Sequence, residues 1–298
     1  MNILFITDNF PPENNAPSFR TFEHCKKWAE MGHKITVITC NPNFPYGKLF
    51  EGYSNNIYKI EHIEKIRVVR VWSYMAPNSG FFKRILDYIS FAVMASILGL
   101  FIKTDKIIAT SPQFFTAFAG CFLSFLKRKP WVMEIRDLWP DSIVAVGAIK
   151  KNSIIYKILK KIEEFFYRNA TKLVVVTDSF KEIIIKEFKI ENSKIGVFKN
   201  GIIRKKNKSS LSEISKIRDR LKLSNHLVIS YIGTIGMAHG LKNILNLIQN
   251  FKDKKIKFLF IGEGAYKNFL VQYSRELELK NCFFLDGIEK SKVDNYIQ

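Results

Sequence analysis

Residues 106–142, KIIATSPQFFTAFAGCFLSFLKRKPWVMEIRDLWPDS, decide the fold. KIIAT (106–110) and WVMEI (131–135) are short apolar runs without polar alternation, as strands buried on both faces should be. Between them QFFTAFAGCFLSFL reads as a helix. A strand, a helix and a second strand make a crossover unit, the connection that parallel strands require.

The same unit repeats outward from this stretch. NILFIT (2–7), KITVIT (34–39) and KLVVVT (172–177) are further buried strands. SFRTFEHCKKWAEM, the segment from Phe81 to Phe101, and IIYKILKKIEEFFYR are the helices between them. The first half is therefore expected to be a doubly wound α/β domain. Residues 57–72, IYKIEHIEKIRVVRVW, interrupt the rhythm and read as an inserted β-hairpin. After KNG (199–201) a polar, Lys-rich stretch runs to about residue 215, and βα alternation restarts. LVISYIG (227–233), KFLFIG (257–262) and NCFFLD (281–286) are strands, with helices over 239–250 and 265–277. Two domains follow, 1–200 and 201–298. The second has three clear strands where a Rossmann-like half commonly carries about five or six.

Ligands of open α/β sheets bind at the carboxyl ends of strands, so the loops there hold the candidate site. The loop from Asp8 to Arg20, DNFPPENNAPSFR, contains Asn14 and Asn15, which tolerate positive φ, and it leads into a helix N-terminus suited to an anion. An ordinary rigid connection is the competing reading. GTIGMAHG (233–240) sets Gly233, Gly236 and Gly240 between strand and helix, where backbone can approach a phosphate. His239 there is either a further donor or a surface capping residue. IGEGAYK (261–267) adds Gly262 and Gly264 at the next strand end, so two glycine loops of one sheet can serve one nucleotide. EIRDLWPDS (134–142) concentrates Glu134, Arg136, Asp137 and Asp141 directly after PWVM. Arg136 and Asp137 either hold an anion and a sugar hydroxyl or form a buried ion pair.

Composition narrows the function classes. Of 298 residues 47 are Lys or Arg and 27 are Asp or Glu, a net charge of +20. That balance suits an anionic membrane surface or nucleic acid, although Ile-, Asn- and Lys-rich codon bias produces the same excess. The basic residues follow no nucleic-acid-binding module, and nucleic acid is not an expected partner. Cys25, Cys40, Cys121 and Cys282 are scattered singly, without metal or disulfide spacing. MNILFITDNFPPE has no basic leader region, so a reducing cytosol is the expected compartment. The absence of DxD, HExxH, GxxxxGK[ST] and GxSxG disfavours metal and P-loop chemistry. A nicotinamide enzyme would want GxGxxG after strand one, which DNFPPENNAP does not supply. Residues 85–102, apolar except for Asp87 and preceded by Lys83 and Arg84, read as a core-packed crossover helix, an interfacial membrane helix or a span.

In order along the chain, PPENNAPSFR, GHKITVIT, NPNFPYGKLFEGY, TSPQFF, EIRDLWPDSIVAVGAI, VVVTDSF, the KNG hinge and YIGTIGMAHGL resemble the bacterial family 4 glycosyltransferases of the GT-B fold. The likeness is to the O-antigen and colanic-acid subgroup typified by N-acetyl-L-fucosamine transferase, and it runs through essentially the whole chain. It implies two Rossmann-like domains, an acceptor domain followed by a sugar-nucleotide domain. It also implies transfer with retention of configuration, no essential metal and no cofactor. The donor is a nucleotide sugar, UDP- or GDP-linked, and the acceptor a lipid-linked saccharide in surface-polysaccharide assembly. The enzyme would work as a peripheral protein at the inner face of the cytoplasmic membrane. Asp137 and Arg136 become the catalytic pair, and Asn14, Asn15, Arg20, Gly233, Thr234, His239, Gly240, Gly262 and Gly264 the donor site.

Four departures accompany the resemblance. Asn14 and Asn15 stand where many relatives have two glycines. ATSPQ, with Thr110 and Ser111, stands where the broad family often places a catalytic histidine. Thr234 and His239 occupy positions where relatives use Arg and Lys against the diphosphate. Relatives also continue beyond the point corresponding to Gln298, through paired glutamates spaced E-x7-E that grip the donor. A truncated transferase is therefore expected, with a non-catalytic remnant or binding subunit as the alternative.

Overall fold

The computed structural model describes residues 1–44, 46–75, 81–111, 114–145, 147–201, 211–251, 255–289 and 292–297. The chain divides into two compact units, Met1–Gly201 and Ile202–Gln298.

The first unit is built on an eight-stranded sheet. Its strands are β1 (Asn2–Ile6), β2 (Lys34–Cys40), β3 (Tyr58–Ile63), β4 (Ile66–Val71), β5 (Lys106–Thr110), β6 (Trp131–Ile135), β7 (Lys172–Val175) and β8 (Ile195–Val197). They lie in the order β3-β4-β2-β1-β5-β6-β7-β8. All neighbours are parallel except β3 and β4, the inserted hairpin, in which only β3 runs against the sheet. The order reverses direction at β1, between β2 and β5, so the carboxyl ends of β1 and β5 flank a topological switch point.

Both faces of this sheet are covered. On one face α1 (Ala16–Glu30) buries Cys25 and Ala29 against Ile3, Phe5, Ile35, Val37, Ile66 and Val68. On the other, α2 (Phe81–Leu100), α3 (Phe114–Lys127) and α5 (Ile154–Asn169) cover a core that includes Leu4, Ile6, Ile107, Trp131 and Leu173. Odd and even strand positions thus feed different cores, which is why these strands read as unbroken apolar runs. A short α4 (Asp141–Ala145) follows β6, and α6 (Asp178–Phe188) joins β7 to β8. Among the described residues no helix is long and apolar enough to cross a membrane.

The second unit starts with α7 (Leu211–Arg220); the Lys-rich residues 202–210 lie outside the described residues. It then alternates β9 (Leu227–Ile232), α8 (Leu241–Ile248), β10 (Ile256–Ile261), α9 (Lys267–Glu276) and β11 (Cys282–Leu285), ending in α10 (Asp294–Ile297). The three strands are parallel, in the order β11-β10-β9. One face packs α8 and α9 over Phe258 and Phe260, and the other packs Leu223 over Leu259 and Ile261. β9 pairs on one side only among the described residues, and Leu227 and Ile229 on it are exposed.

Candidate active site

The carboxyl edge of the first sheet gathers four residues at the switch point. Glu134 is the fourth residue of β6, and its side chain is only 5% exposed. Arg20, in the second turn of α1, donates from Nε and Nη2 to Glu134 Oε1 at 3.1 and 2.8 Å. The same guanidinium donates to Asn200 Oδ1 and to the Phe198 carbonyl. One arginine therefore ties the start of α1 to β6 and to the KNG segment. His24, one helical turn on, has Nδ1 4.0 Å from Glu134 Oε1, and burial lowers its pKa.

Arg136 follows the strand. Its backbone N–H donates to Ser111 Oγ at 2.8 Å, and the Ser111 N–H donates to the Glu134 carbonyl at 2.8 Å. Thus the ends of β5 and β6 are bolted to each other. Arg136 Nη1 and Glu134 Oε2 are both buried without a hydrogen-bond partner. Burial lowers the Arg136 pKa, opposed by the charge of Glu134. Buried polar groups are normally satisfied, and an orphan donor and an orphan acceptor on neighbouring side chains mark a locally unfinished polar network.

Asp137 points to solvent, and partial burial still raises its carboxyl pKa, with Arg136 opposing. Asp141 turns away from this group. As the first residue of α4 it accepts from Tyr156 Oη at 2.7 Å and Lys160 Nζ at 2.8 Å. Trp139 stacks on Phe114 with ring centroids 5.5 Å apart, fixing the loop on the core.

The two asparagines of the β1–α1 loop behave differently. Asn15 caps α1: its Oδ1 accepts from the Ser18 N–H at 2.9 Å and its Nδ2 donates to Asn9 Oδ1 at 2.7 Å. Its side chain is spent on the helix end. Asn14 is exposed. Glu13 beside them is nearly fully buried, and its Oε1 accepts from the backbone N–H groups of Asn43 and Phe44, both at 2.9 Å. Desolvation raises its pKa to about 7. Arg70, fully buried on β4, donates to Glu61, to the Cys40 carbonyl and to the Pro11 carbonyl. Glu13 and Arg70 thus organise the loops that follow β1 and β2. Arg70 was signalled only as a charged residue inside the apolar run IRVVRV, and Glu13, within PPENNAPSFR, was not singled out by its residue type.

In the second unit the two glycine loops lie against each other. A Cβ on Gly262 would sit 1.8 Å from the Gly233 carbonyl oxygen, and one on Gly264 would sit 2.2 Å from the Ile235 carbonyl oxygen. The Gly233 N–H donates to the Ile261 carbonyl and the Ile235 N–H to the Glu263 carbonyl, at 2.9 and 2.8 Å. These glycines are required by backbone-on-backbone packing, independently of any ligand. Gly240 takes φ +64° at the N-cap of α8, a left-handed conformation costly for other residues. Gly233, Thr234, His239 and Gly240 are all exposed. His239 Nδ1 lies 3.3 Å from the Gly236 N–H, holding the turn. At the next strand end Lys267 Nζ bridges Glu263 and Asp286 at 3.0 and 2.6 Å.

Comparison with known proteins decides the family. Residues 19–206 match Glycosyltransferase Family 4. The chain belongs to this family. It is 26% identical over 302 residues to WcaI of Escherichia coli (strain K12), a candidate colanic acid biosynthesis glycosyl transferase, covering 95% of this chain and 71% of that one. Over 147 residues it is 31% identical to WbjE of Pseudomonas aeruginosa, a candidate glycosyltransferase, covering 49% of this chain and 36% of that one. The fold matches the crystal structure of Anabaena Alr3699/HepE in complex with UDP-glucose, with a TM-score of 0.68 and 15% identity, over 100% of this chain and 71% of that one. It also matches WaaG, a glycosyltransferase involved in lipopolysaccharide biosynthesis, with a TM-score of 0.68 and 12% identity, over 99% and 72% of the two chains. The large parallel sheet and the second, smaller one are those of GT-B glycosyltransferases.

Proposed function

We propose that this family 4 chain transfers a sugar, with retention of configuration and without a metal, from a UDP- or GDP-linked donor to a lipid-linked saccharide. The functional likeness proposed is to the N-acetyl-L-fucosamine transferases of O-antigen and colanic-acid assembly, working at the inner face of the cytoplasmic membrane. The first unit takes the acceptor and the second the donor. The supporting observation is that Gly233, Thr234 and Gly240 are exposed between β9 and α8, where the N-terminus of α8 suits a diphosphate. A UDP-linked donor is supported by the HepE complex with UDP-glucose.

In the proposed reaction the acceptor hydroxyl oxygen bonds to the anomeric carbon as the bond from that carbon to the diphosphate oxygen breaks. The hydroxyl proton leaves on the departing diphosphate. Asp137, which is exposed, accepts a hydrogen bond from the attacking hydroxyl, and Arg136 orients it or contacts phosphate. A positioned donor of this kind contributes on the order of 3 kcal/mol to transition-state stabilisation.

The test is transfer itself. The purified chain is incubated with radiolabelled UDP- and GDP-sugars and a bacterial lipid extract, and label is counted in the organic phase. Incorporation from one donor class, lost on heat denaturation, is the expected result. No incorporation from any donor of the panel contradicts the proposal.

A further inference from the structure

A cavity of about 480 Å³ opens at the amino edge of the first sheet, where β1, β2 and β4 begin. The candidate active site lies at the opposite, carboxyl edge, roughly 17 Å away along the five residues of β1. His33, Lys34, His62, Lys65, Arg67 and Lys103 line the cavity, and among the described residues no acidic side chain does. Strand register explains much of this grouping. Asn2 pairs with Lys34, Thr36 with Arg67 and Arg67 with His62, so these five side chains share one face of the sheet. The turn between β3 and β4 adds Lys65, and the segment between α2 and β5 adds Lys103.

The cations here are not spent elsewhere. Among the described residues no hydrogen bond or ion pair uses the side chain of Lys34, Lys65, Arg67 or Lys103. The carboxylates nearby have other partners: Glu64 pairs with Lys26, Glu61 pairs with Arg70, and Asp105 accepts from the backbone N–H and the amide of Asn2 at 2.7 and 3.2 Å. Carbonyls at the end of α1 would repel an anion, but the turn that follows covers them. Met31, Gly32 and His33 donate to the carbonyls of Lys27, Ala29 and Trp28. A concave site lined by one sign of charge focuses its field and concentrates counter-ions.

We infer that this cavity binds a small soluble polyanion that carries phosphoryl groups and no nucleobase, of the pyrophosphate or sugar-phosphate class. Arg67 offers a planar fork that takes two oxygens of one phosphoryl group, and Lys34, Lys65 and Lys103 supply point charges around it. The volume falls within the roughly 300–1,000 Å³ of small-molecule sites. No Phe, Tyr or Trp lines it on which a base could stack. Ala29, Ile35 and Ile102, all buried, give it walls that belong to the core, so the site is formed before a ligand arrives. This binding uses none of the donor loops and does not depend on the transferase reading.

The experiment is calorimetric titration of the full chain with inorganic pyrophosphate at about 0.15 M ionic strength, where charges acting through open solvent are largely screened. Saturable binding is expected. Lys34→Gln with Arg67→Gln, and separately Lys65→Gln with Lys103→Gln, should each weaken it at least about tenfold, since each removes charged hydrogen-bond donors. Lys65 and Lys103 are exposed, so the second pair keeps the test decisive if loss of the half-buried Arg67 disturbs folding. Lys157→Gln with Lys161→Gln, exposed on α5, removes the same charge away from the cavity and should leave binding unchanged. Absence of pyrophosphate binding, or binding that both cavity pairs leave intact, overturns the inference. An equal loss in the α5 pair also overturns it, because net charge alone would then account for binding. Citrate bound as tightly as pyrophosphate would do the same, showing a place for any small anion. Titration with UDP and GDP is a separate measurement, so failure of this site and failure of the glycosyltransferase reading are distinguishable.

Discussion

Arg20 and Glu134, 114 residues apart in the sequence, form a two-pronged ion pair at the switch point of the first sheet, with side chains 8% and 5% exposed. Both prongs land on Oε1, leaving Oε2 buried without a partner. Arg20 joins the carboxylate to the KNG segment, while the charge of the same carboxylate acts on Arg136 at the candidate catalytic loop.

Removing one member of such a pair strands the other charge in the interior. Arg20→Met and Glu134→Gln should each cost roughly 3–5 kcal/mol. The double variant should cost clearly less than the sum, because the stranded charge is gone. Urea unfolding of the four proteins in a double-mutant cycle measures this, and strict additivity would show that the two residues are energetically independent.

Glu13 predicts a pH dependence of stability. Its folded pKa, about 7, lies above the value near 4.5 of an exposed glutamate, so between those pH values the folded chain holds more protons than the unfolded one. The favourable contribution is complete below about pH 4.5 and is lost as pH rises through about 7, an effect on the order of 3 kcal/mol. Glu163, raised to about 7 chiefly by burial, acts in the same direction. Glu13→Gln keeps an acceptor for Asn43 and Phe44 without the charge. Thermal melts should show the variant more stable than wild type at pH 8 and nearly equal at pH 5; the same difference at both values would refute the linkage.

The glycine loops of the second unit give a graded pair of variants. Gly262→Ala forces a methyl into the Gly233 carbonyl, where backbone has to move, and should destabilise the unit and abolish nucleotide binding. Gly240→Ala meets no atom within 4 Å and carries only the strain of its left-handed φ, about 1–2 kcal/mol. Comparable losses of stability in the two would mean that the loop packing is not what requires Gly262.

Asp137 is exposed, so its replacement leaves the core intact. Asp137→Asn should remove glycosyl transfer while leaving circular dichroism and nucleotide affinity unchanged. Undiminished transfer would exclude it from the reaction.

The fold was legible where one physical rule acted alone. Buried parallel strands are apolar throughout, and β1, β2, β5, β6 and β7 were read from that pattern. β8, three residues with Gly196 at its centre, carries too little apolar signal to stand out, and α6 was hidden by its mixed charges. The site was harder. EIRDLWPDS reads as a candidate functional strand end, yet spacing could not tell that Glu134 pairs with Arg20 or that Asp141 is turned to Tyr156 and Lys160, because those partners are distant in sequence. Asn15 looked like a ligand residue and is a helix cap, a role written in the same residue types. Gly262 and Gly264 suggested a phosphate cradle, while in the fold they meet the neighbouring loop's backbone.

Calorimetric titration of UDP and GDP into the 298-residue chain tests the glycosyltransferase reading most directly. Saturable, micromolar binding of one of the two, abolished by Gly262→Ala and retained by Asp137→Asn, is the predicted result. A folded chain that binds neither nucleotide would contradict it.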